Sequence, residues 1–186
     1  MQFAADYIHD LQKTLGGLDR DAIGKAVSWL KEAAGHGRMI YICGNGGSAS
    51  IAQQMLVDML KGASYGFPTR FKMICLADSV STITAYANDV SYDCVFVEQL
   101  RNFAQEGDIL LAISGSGNSR NVLRAVEYAN SVGCRTIALT QAGGGALKDL
   151  AQLTLGVPNT HMGRLEDCFF VMTHIIVYAF MEKAVA

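Results

Sequence analysis

The stretch that most restricts how this chain can fold is residues 40–50, with the sequence IYICGNGGSAS. It begins as a short apolar run with β-branched and aromatic side chains, which predicts a buried strand. The run breaks into a glycine-rich turn, and Ser48 is the expected N-cap of a helix predicted over residues 48–61. Unpaired N–H groups and the helix dipole converge at such a turn, so the segment predicts an anion site.

A second segment of the same kind follows another apolar run. Residues 113–119 read ISGSGNS and come directly after a strand predicted over residues 108–113. One Gly/Ser-rich turn alone fits a plain connection equally well, but two of them favour a phosphate site, because ligands bind at the carboxyl ends of parallel strands. The spacing matches neither GxGxxG nor GxxxxGK[ST], which disfavours a dinucleotide or a nucleoside triphosphate.

Strands and helices alternate along the chain, which predicts an α/β three-layer sandwich around a five-stranded parallel sheet. Predicted helices cover residues 4–15, 20–36, 48–61, 79–87, 92–103, a segment ending at 132, 146–150 and 162–183. Predicted strands cover residues 38–43, 71–76, 108–113, 134–139 and 153–157. We expect one domain over residues 1–186, with extra N-terminal helices (1–36) for oligomer packing and a doubly wound core (37–186).

The amino-acid composition restricts the kinds of partner that this protein can bind. Hydrophobic residues make up 51% and charged residues 17%, which suits a sheet covered on both faces or an oligomer with apolar interfaces. A net charge of −2 without a basic run disfavours nucleic acid as a ligand. No apolar run reaches membrane-spanning length, and the N-terminus does not read as a signal peptide. Five cysteines without CxxC spacing read as reduced thiols, so we predict a cytoplasmic protein.

Three motifs, at residues 43–48 (CGNGGS), 88–89 (ND) and 113–119 (ISGSGNS), resemble the sugar isomerase (SIS) domain family. Within it they are most similar to the phosphoheptose isomerase branch, which converts sedoheptulose 7-phosphate to manno-heptose 7-phosphate. The resemblance covers nearly the whole chain. It implies the SIS fold, a phosphosugar substrate, a homotetramer with active sites between subunits, and a role in cell-envelope (lipopolysaccharide) heptose synthesis.

The resemblance also implies roles for individual residues. The acid–base pair falls on Asp58 and His174, and Glu166 joins the substrate-binding residues. The remaining expected contacts are to substrate oxygens (Asn45, Gly46, Gly47, Ser48), to the sugar (Asn88, Asp89) and to the phosphate (Ser114, Gly115, Ser116, Ser119).

The chemistry accounts for such a pair. Moving a carbonyl between C1 and C2 through an enediol needs a base for the carbon-bound proton and a group that shuttles the hydroxyl proton, and it needs no cofactor. Asp58 stands out on an apolar helix, because a buried carboxylate is costly unless it has a partner or a task. His174 lies in an apolar stretch, where the pattern alone favours a core histidine.

The chain departs from the family at three of four site positions. Relatives often carry His and Glu on the first-loop helix with Gln and His on the last helix, and in some these bind zinc. Here the positions are Gln54, Asp58, Glu166 and His174. An amide is a poor zinc ligand, so we expect no required zinc, and a weak divalent-ion site of Asp58, Glu166 and His174 is left open. Glu166 or Asp167 is expected to set the His174 tautomer.

Two other functions stay open. One is a non-catalytic SIS protein that binds a phosphosugar or a protein partner, as a relative that regulates replication initiation does. The other is an isomerase for a different ketose phosphate. Retention of Asp58 with His174 favours an enzyme, and the absence of a histidine at position 54 favours a binding protein.

Overall fold

The computed structural model describes residues 2–182, which form five strands and eight α-helices. The strands are β1 (Met39–Gly44), β2 (Lys72–Cys75), β3 (Ile109–Ile113), β4 (Arg135–Gln141) and β5 (Leu153–Val157). The helices are α1 (Gln2–Gly16), α2 (Arg20–Gly35), α3 (Gly47–Val57), α4 (Val80–Asp89), α5 (Val97–Phe103), α6 (Arg120–Ser131), α7 (Gly145–Leu150) and α8 (Met162–Met181). Lys183, the predicted end of the last helix, lies outside the described residues.

All four strand pairings are parallel, in the order β2-β1-β3-β4-β5. The predicted five-stranded parallel sheet is therefore confirmed. The connection that follows β1 runs to β2 on one side of the sheet, whereas the connection that follows β3 runs to β4 on the other side. The direction of the connections therefore reverses between β1 and β3. This reversal creates a crevice at the carboxyl ends of β1 and β3, which is where open α/β sheets bind ligands.

Alternate residues of the central strands point into two separate cores, as a parallel sheet covered on both faces requires. Ile40 and Ile42 of β1 pack in one core with side chains from α2, α3 and α8. Tyr41 and Cys43 pack in the other with side chains from α5, α6 and α7. The helices thus form the two outer layers of the predicted sandwich.

Two predicted helices are interrupted. The helix predicted over residues 48–61 ends at Val57 and continues as a π-helical turn, Asp58–Gly62, in which the Ala63 N–H donates to the Asp58 carbonyl at 2.8 Å. Gly62 packs so closely on Met181 that an added Cβ would lie 2.9 Å from the Met181 sulfur, which fixes this turn against α8. The helix predicted over residues 92–103 is a 3-10 turn, Tyr92–Cys94, followed by α5.

All five cysteines are free and buried. Burial raises the pKa of the Cys134 and Cys168 thiols to about 11 and that of Cys75 to about 12. These thiols are therefore protonated at neutral pH, as expected for small core residues. Among residues 2–182, no helix combines the length and the apolar character needed to cross a membrane.

Candidate active site

The loop after β1 is built on tight glycine contacts. At Gly44 an added Cβ would lie 2.8 Å from the Ser48 Cβ, so the strand end touches the start of α3. Gly46 has φ +54°, a left-handed conformation that favours glycine. It is the N-cap residue of α3, so no side chain caps the first N–H groups of this helix. The prediction of Ser48 as N-cap is wrong, because the turn at Gly46 starts the helix earlier and leaves Ser48 buried in its first turn.

The loop after β3 presents a pair of serine hydroxyls at the start of α6. The Oγ atoms of Ser114 and Ser119 lie 3.1 Å apart, and Ser114 is buried. Ser119 is the N-cap of α6, but its side chain makes no capping bond. The next residue, Arg120, is exposed and its Nε lies 3.2 Å from an Asp93 carboxylate oxygen. Hydroxyl and backbone N–H donors therefore dominate this loop.

The fold holds the β3 loop rigidly. Gly117 has φ +68°, and an added Cβ there would collide with the Gly144 backbone. The Asn118 side chain accepts a hydrogen bond from the Ala146 N–H at 3.1 Å and donates to the Ser116 carbonyl at 3.1 Å. The amide of Asn118 thus fastens the loop to the start of α7.

The register of the sheet brings the two loops together. Gly44, the last residue of β1, pairs with Ile113, the last residue of β3. Both loops therefore leave the sheet side by side in the crevice between β1 and β3. The structure thus brings together the predicted substrate-oxygen loop and the predicted phosphate loop.

A hydrogen-bonded network joins these loops. Asn45 and Asn121 exchange two side-chain hydrogen bonds, each 2.9 Å long, and the Tyr92 hydroxyl donates to Asn45 Oδ1 at 2.8 Å. The Val122 N–H also donates to Asn121 Oδ1, at 2.9 Å. The β1 loop, the first turn of α6 and the 3-10 turn are therefore tied at one point.

Glu166 contacts the β1 loop. Its carboxylate lies against Gly47, where an added Cβ would be 2.9 Å from Oε2. The neighbouring Asp167 accepts a hydrogen bond from the Tyr7 hydroxyl at 2.7 Å, which ties α8 to α1. Among the described residues of one chain, neither carboxylate hydrogen-bonds to His174, so a role of Glu166 or Asp167 in setting the His174 tautomer stays a prediction.

Asp58 and His174 face each other between α3 and α8. The distance from His174 Nε2 to Asp58 Oδ2 is 3.6 Å, and Gln54 Nε2 donates to the same Oδ2 at 3.0 Å. The side chain of Asp58 is 24% exposed and that of His174 is 46% exposed. Neither residue is a buried core residue, contrary to what the apolar sequence around each suggested. Asp58 also begins the π-helical turn, a distortion that often occurs at functional sites.

Within one chain, Asp58 and His174 lie far from the loops that follow β1 and β3. Asp58 is separated from Gly47 by eleven residue steps, roughly 16 Å along the axis of α3. On α8, eight steps separate His174 from Glu166, roughly 12 Å. The pair and the loops therefore lie at different ends of the two helices.

Asn88 and Asp89 lie at the exposed end of α4. The Asn88 Nδ2 donates to Asp89 Oδ1 at 2.8 Å, and both residues are exposed. Among the described residues, no hydrogen bond connects them to the β1 or β3 loop. The structure of one chain therefore leaves this predicted sugar contact outside the crevice.

The side chains do not fit a metal centre. Across residues 2–182, no three His, Cys, Asp or Glu side chains cluster closely enough to hold a metal ion. At the position where the resemblance implies a histidine, Gln54 directs its amide N–H at Asp58 Oδ2, and the Glu166 carboxylate lies against Gly47. The weak site of Asp58, Glu166 and His174 is thus not assembled among the described residues of one chain.

Comparison with known proteins supports the motif-based resemblance. The family model of the SIS domain matches residues 4–141 of this chain. The chain belongs to the SIS domain family. Among curated relatives, the phosphoheptose isomerase of Geobacter sulfurreducens is 35% identical over 171 residues, which is 89% of this chain and 88% of the relative. That of Chlorobium phaeobacteroides is 41% identical over 158 residues, 84% of this chain and 69% of the relative.

Solved structures agree with the SIS-domain assignment. The phosphoheptose isomerase from Francisella tularensis has a TM-score of 0.89 at 30% identity, covering 97% of this chain and 95% of that one. The enzyme from Neisseria gonorrhoeae has a TM-score of 0.88 at 27% identity, covering 97% and 96%. The predicted SIS fold and the predicted resemblance to the phosphoheptose isomerase branch are therefore confirmed.

Sequence reasoning assigned no site role to Tyr92, Asn121 or Gln54. Tyr92 and Asn121 reach Asn45 from 47 and 76 residues away. A weak signal was available for Asn121, since an asparagine in the first turn of a helix is more common at a cap than inside it. Gln54 stands one helical turn before Asp58, a spacing at which side chains meet.

Proposed function

We propose that this SIS domain is an aldose–ketose isomerase that interconverts sedoheptulose 7-phosphate and manno-heptose 7-phosphate in the cytoplasm. The observation that carries the proposal is the 3.6 Å approach of His174 Nε2 to Asp58 Oδ2. Two partly exposed groups of complementary acid–base character provide the equipment for moving a proton between neighbouring atoms. The phosphoheptose isomerase relatives support a phosphosugar isomerase role.

We assign the phosphate to the β3 loop. The Ser114 and Ser119 hydroxyls stand at the start of α6, a helix of 12 residues whose N-cap side chain makes no capping bond. Uncapped N–H groups and the helix dipole favour an anion there. At the start of α3, by contrast, the Glu166 carboxylate already lies against Gly47 and would repel a phosphate dianion. The β1 loop is therefore assigned to the sugar oxygens.

In the proposed reaction, the Asp58 carboxylate takes a proton from C1 of the ketose, which leaves an enediol across C1 and C2. His174 moves the proton of the C1 hydroxyl to the oxygen on C2. Return of the first proton to C2 gives the aldose, with no net gain or loss of atoms or electrons. The Gln54 N–H that reaches Asp58 Oδ2 holds the carboxylate toward His174.

We further propose that a second copy of the chain completes the site. A sugar phosphate held in the β3 loop does not extend to a pair located roughly 16 Å along α3 from the neighbouring β1 loop. Around that pair, α3, the π-helical turn and α8 expose four large apolar side chains, each 42–52% accessible (Val57, Leu60, Ile175, Tyr178). Exposed apolar side chains around polar groups are typical of an interface, so we expect a homo-oligomer. The family resemblance implies that this oligomer is a tetramer.

The N-terminal helices are proposed to contribute to the same assembly. On α1, Phe3 is 74% exposed and Ile8 is 55% exposed. By contrast, α2 buries Ala26 and Leu30 completely and belongs to the core. We therefore assign α1, rather than the whole of residues 1–36, to contacts between copies, within a single domain of residues 1–186.

The test is turnover of sedoheptulose 7-phosphate by the purified protein in D2O. We expect the wild type to form the aldose with deuterium at C2, and Asp58→Asn and His174→Ala to lose at least about a hundredfold in kcat. Asp149→Asn and His36→Ala change the same residue types at exposed positions and should leave kcat unchanged. An active Asp58→Asn variant would refute the assigned base.

One specific observation favours the alternative of a non-catalytic SIS protein. Asp58 is one methylene shorter than the glutamate of the relatives, and an error of about 1 Å in placing a catalytic group can cost a hundredfold in rate. Wild-type protein that binds ketose phosphates without turnover would favour this alternative. Asp58→Glu then distinguishes the two, because an increase in rate would indicate an isomerase weakened by the shorter side chain.

A further inference from the structure

In the network around Asn45, the donor and the acceptor of each hydrogen bond are fixed, and they are fixed by a backbone N–H group. The Val122 N–H, which can only donate, lies 2.9 Å from the side-chain oxygen of Asn121. If the amide of Asn121 were rotated by half a turn, two donors would face each other. Asn121 is 2% exposed, so water cannot relieve such a conflict. The amide orientation of Asn121 is therefore determined by the start of α6.

The orientation of Asn45 follows from that of Asn121. The two amides lie head to tail, so Asn45 Nδ2 must face Asn121 Oδ1, and Asn45 Oδ1 must face Asn121 Nδ2, each at 2.9 Å. The Tyr92 oxygen lies 2.8 Å from the same Asn45 Oδ1. Because that atom is an acceptor, the Tyr92 hydroxyl donates.

The hydrogen bonds of the Asn45 side chain show which of its donors and acceptors are still available. A primary amide offers two acceptor positions on its oxygen and two N–H donors. Tyr92 and Asn121 occupy both acceptor positions, and Asn121 Oδ1 takes one of the two donors. The side chain of Asn45 is half-buried, so it retains access to the crevice. Among residues 2–182, one N–H of Asn45 has no hydrogen-bond partner and remains for a ligand.

We propose that Asn45 meets the phosphosugar only as a hydrogen-bond donor, to an accepting oxygen of the sugar, and that Tyr92 and Asn121 are positioning residues that enforce this polarity. This inference rests on the proposed function for its substrate. A sugar hydroxyl at this point can accept from Asn45 but cannot donate to it. The contact therefore requires an oxygen with an available lone pair at this point of the crevice.

The network also couples the two loops. Asn121 lies in the first turn of α6, the helix assigned to the phosphate, while Asn45 belongs to the loop assigned to the sugar. The bonds between them hold the sugar and the phosphate ends of the crevice at one spacing. A change in Tyr92 or Asn121 is thus expected to act on a substrate that neither residue touches.

Nuclear magnetic resonance of the ligand-free protein, labelled with ¹⁵N at asparagine, tests the network without relying on turnover. We expect one Asn45 side-chain proton to exchange slowly with solvent and the other to exchange rapidly, with the signal assigned by its loss in Asn45→Asp. Protection of both protons, or of neither, would overturn the proposal even if the protein proves to be an isomerase. Absence of turnover by the wild type would instead count against the proposed function alone.

Kinetics with sedoheptulose 7-phosphate then test the consequence. Tyr92→Phe removes one hydrogen bond from an exposed residue and should lower kcat/KM about threefold to tenfold without lowering the melting temperature. Asn45→Asp, which turns the donor into an acceptor, should lower it about tenfold to a hundredfold. Tyr128→Phe and Asn102→Asp are the matched controls, since their side chains lie on α6 and α5 away from the network. Equal kcat/KM for Tyr92→Phe and wild type would overturn the positioning role.

Discussion

The close approach of Glu166 to Gly47 gives a quantitative test of how α8 is seated on the β1 loop. An added Cβ at Gly47 would lie 2.8 Å from Glu166 Cδ and 2.9 Å from Oε2, closer than Cβ atoms approach other heavy atoms in real structures. Gly47→Ala must therefore displace the carboxylate or the start of α3. Because the carboxylate is the far end of a flexible side chain and Gly47 is exposed, the expected cost lies at the low end of that of overpacking, about 1 kcal/mol. At roughly 2–4 °C per kcal/mol for a domain of this size, the melting temperature should fall by about 2–4 °C.

A double-mutant cycle isolates the contact. Glu166→Ala alone loses only a carboxylate near a helix N-terminus, about 0.3–1 kcal/mol. Once Glu166 is shortened, Gly47→Ala no longer causes a collision, so the double variant should melt within about 1 °C of Glu166→Ala. The matched control is Gly24→Ala in α2, where an added Cβ meets nothing within 4 Å and where alanine should raise the melting temperature. Thermal unfolding followed by circular dichroism measures all four changes. An undiminished cost of Gly47→Ala in the Glu166→Ala background would refute this reasoning.

Three further predictions concern the phosphate loop, the buried thiols and the core. Ser119→Ala should raise KM for sedoheptulose 7-phosphate about tenfold to a hundredfold with little change in kcat, whereas Ser131→Ala at the other end of α6 should change neither in steady-state assays. Burial raises the pKa of the Cys168 thiol to about 11. The stability that the protonated thiol contributes is therefore present below about pH 8.5 and is lost as the pH rises through 11. In urea titrations, Cys168→Ala should reduce this loss of unfolding free energy at alkaline pH. Phe169→Ala removes a fully buried ring and should cost about 3–5 kcal/mol in the free energy of unfolding, against less than about 0.5 kcal/mol for Phe3→Ala in a chain kept monomeric by dilution.

The sequence alone predicted the parallel sheet and the two loops at its carboxyl edge. Apolar runs such as that of β3, in which every residue is buried, mark central parallel strands, and glycines after them mark the turns. Both signals are local, because they depend on side-chain period and on backbone conformations within a few residues. The SIS motifs added the expected pairing of Asp58 with His174, whose catalytic roles remain predictions.

Local pattern was insufficient where helices deviate from ideal geometry. The π-helical turn at Asp58 and the 3-10 turn at Tyr92 lie inside segments whose spacing favours one continuous helix. In the first of these turns, Gly62 lies against Met181, more than a hundred residues away. Contacts of that kind are absent from the local period of the sequence.

The sequence by itself therefore determined which elements form and which loops meet at the switch in strand order. Only the tertiary structure decided what each side chain does there: that Glu166 lies on Gly47, that Asn121 and Tyr92 orient Asn45, and that Asn118 fastens a loop. The physical reason is that hydrogen-bond direction depends on atoms brought together by helix packing. No local property of the chain encodes which of two distant amides will supply the donor.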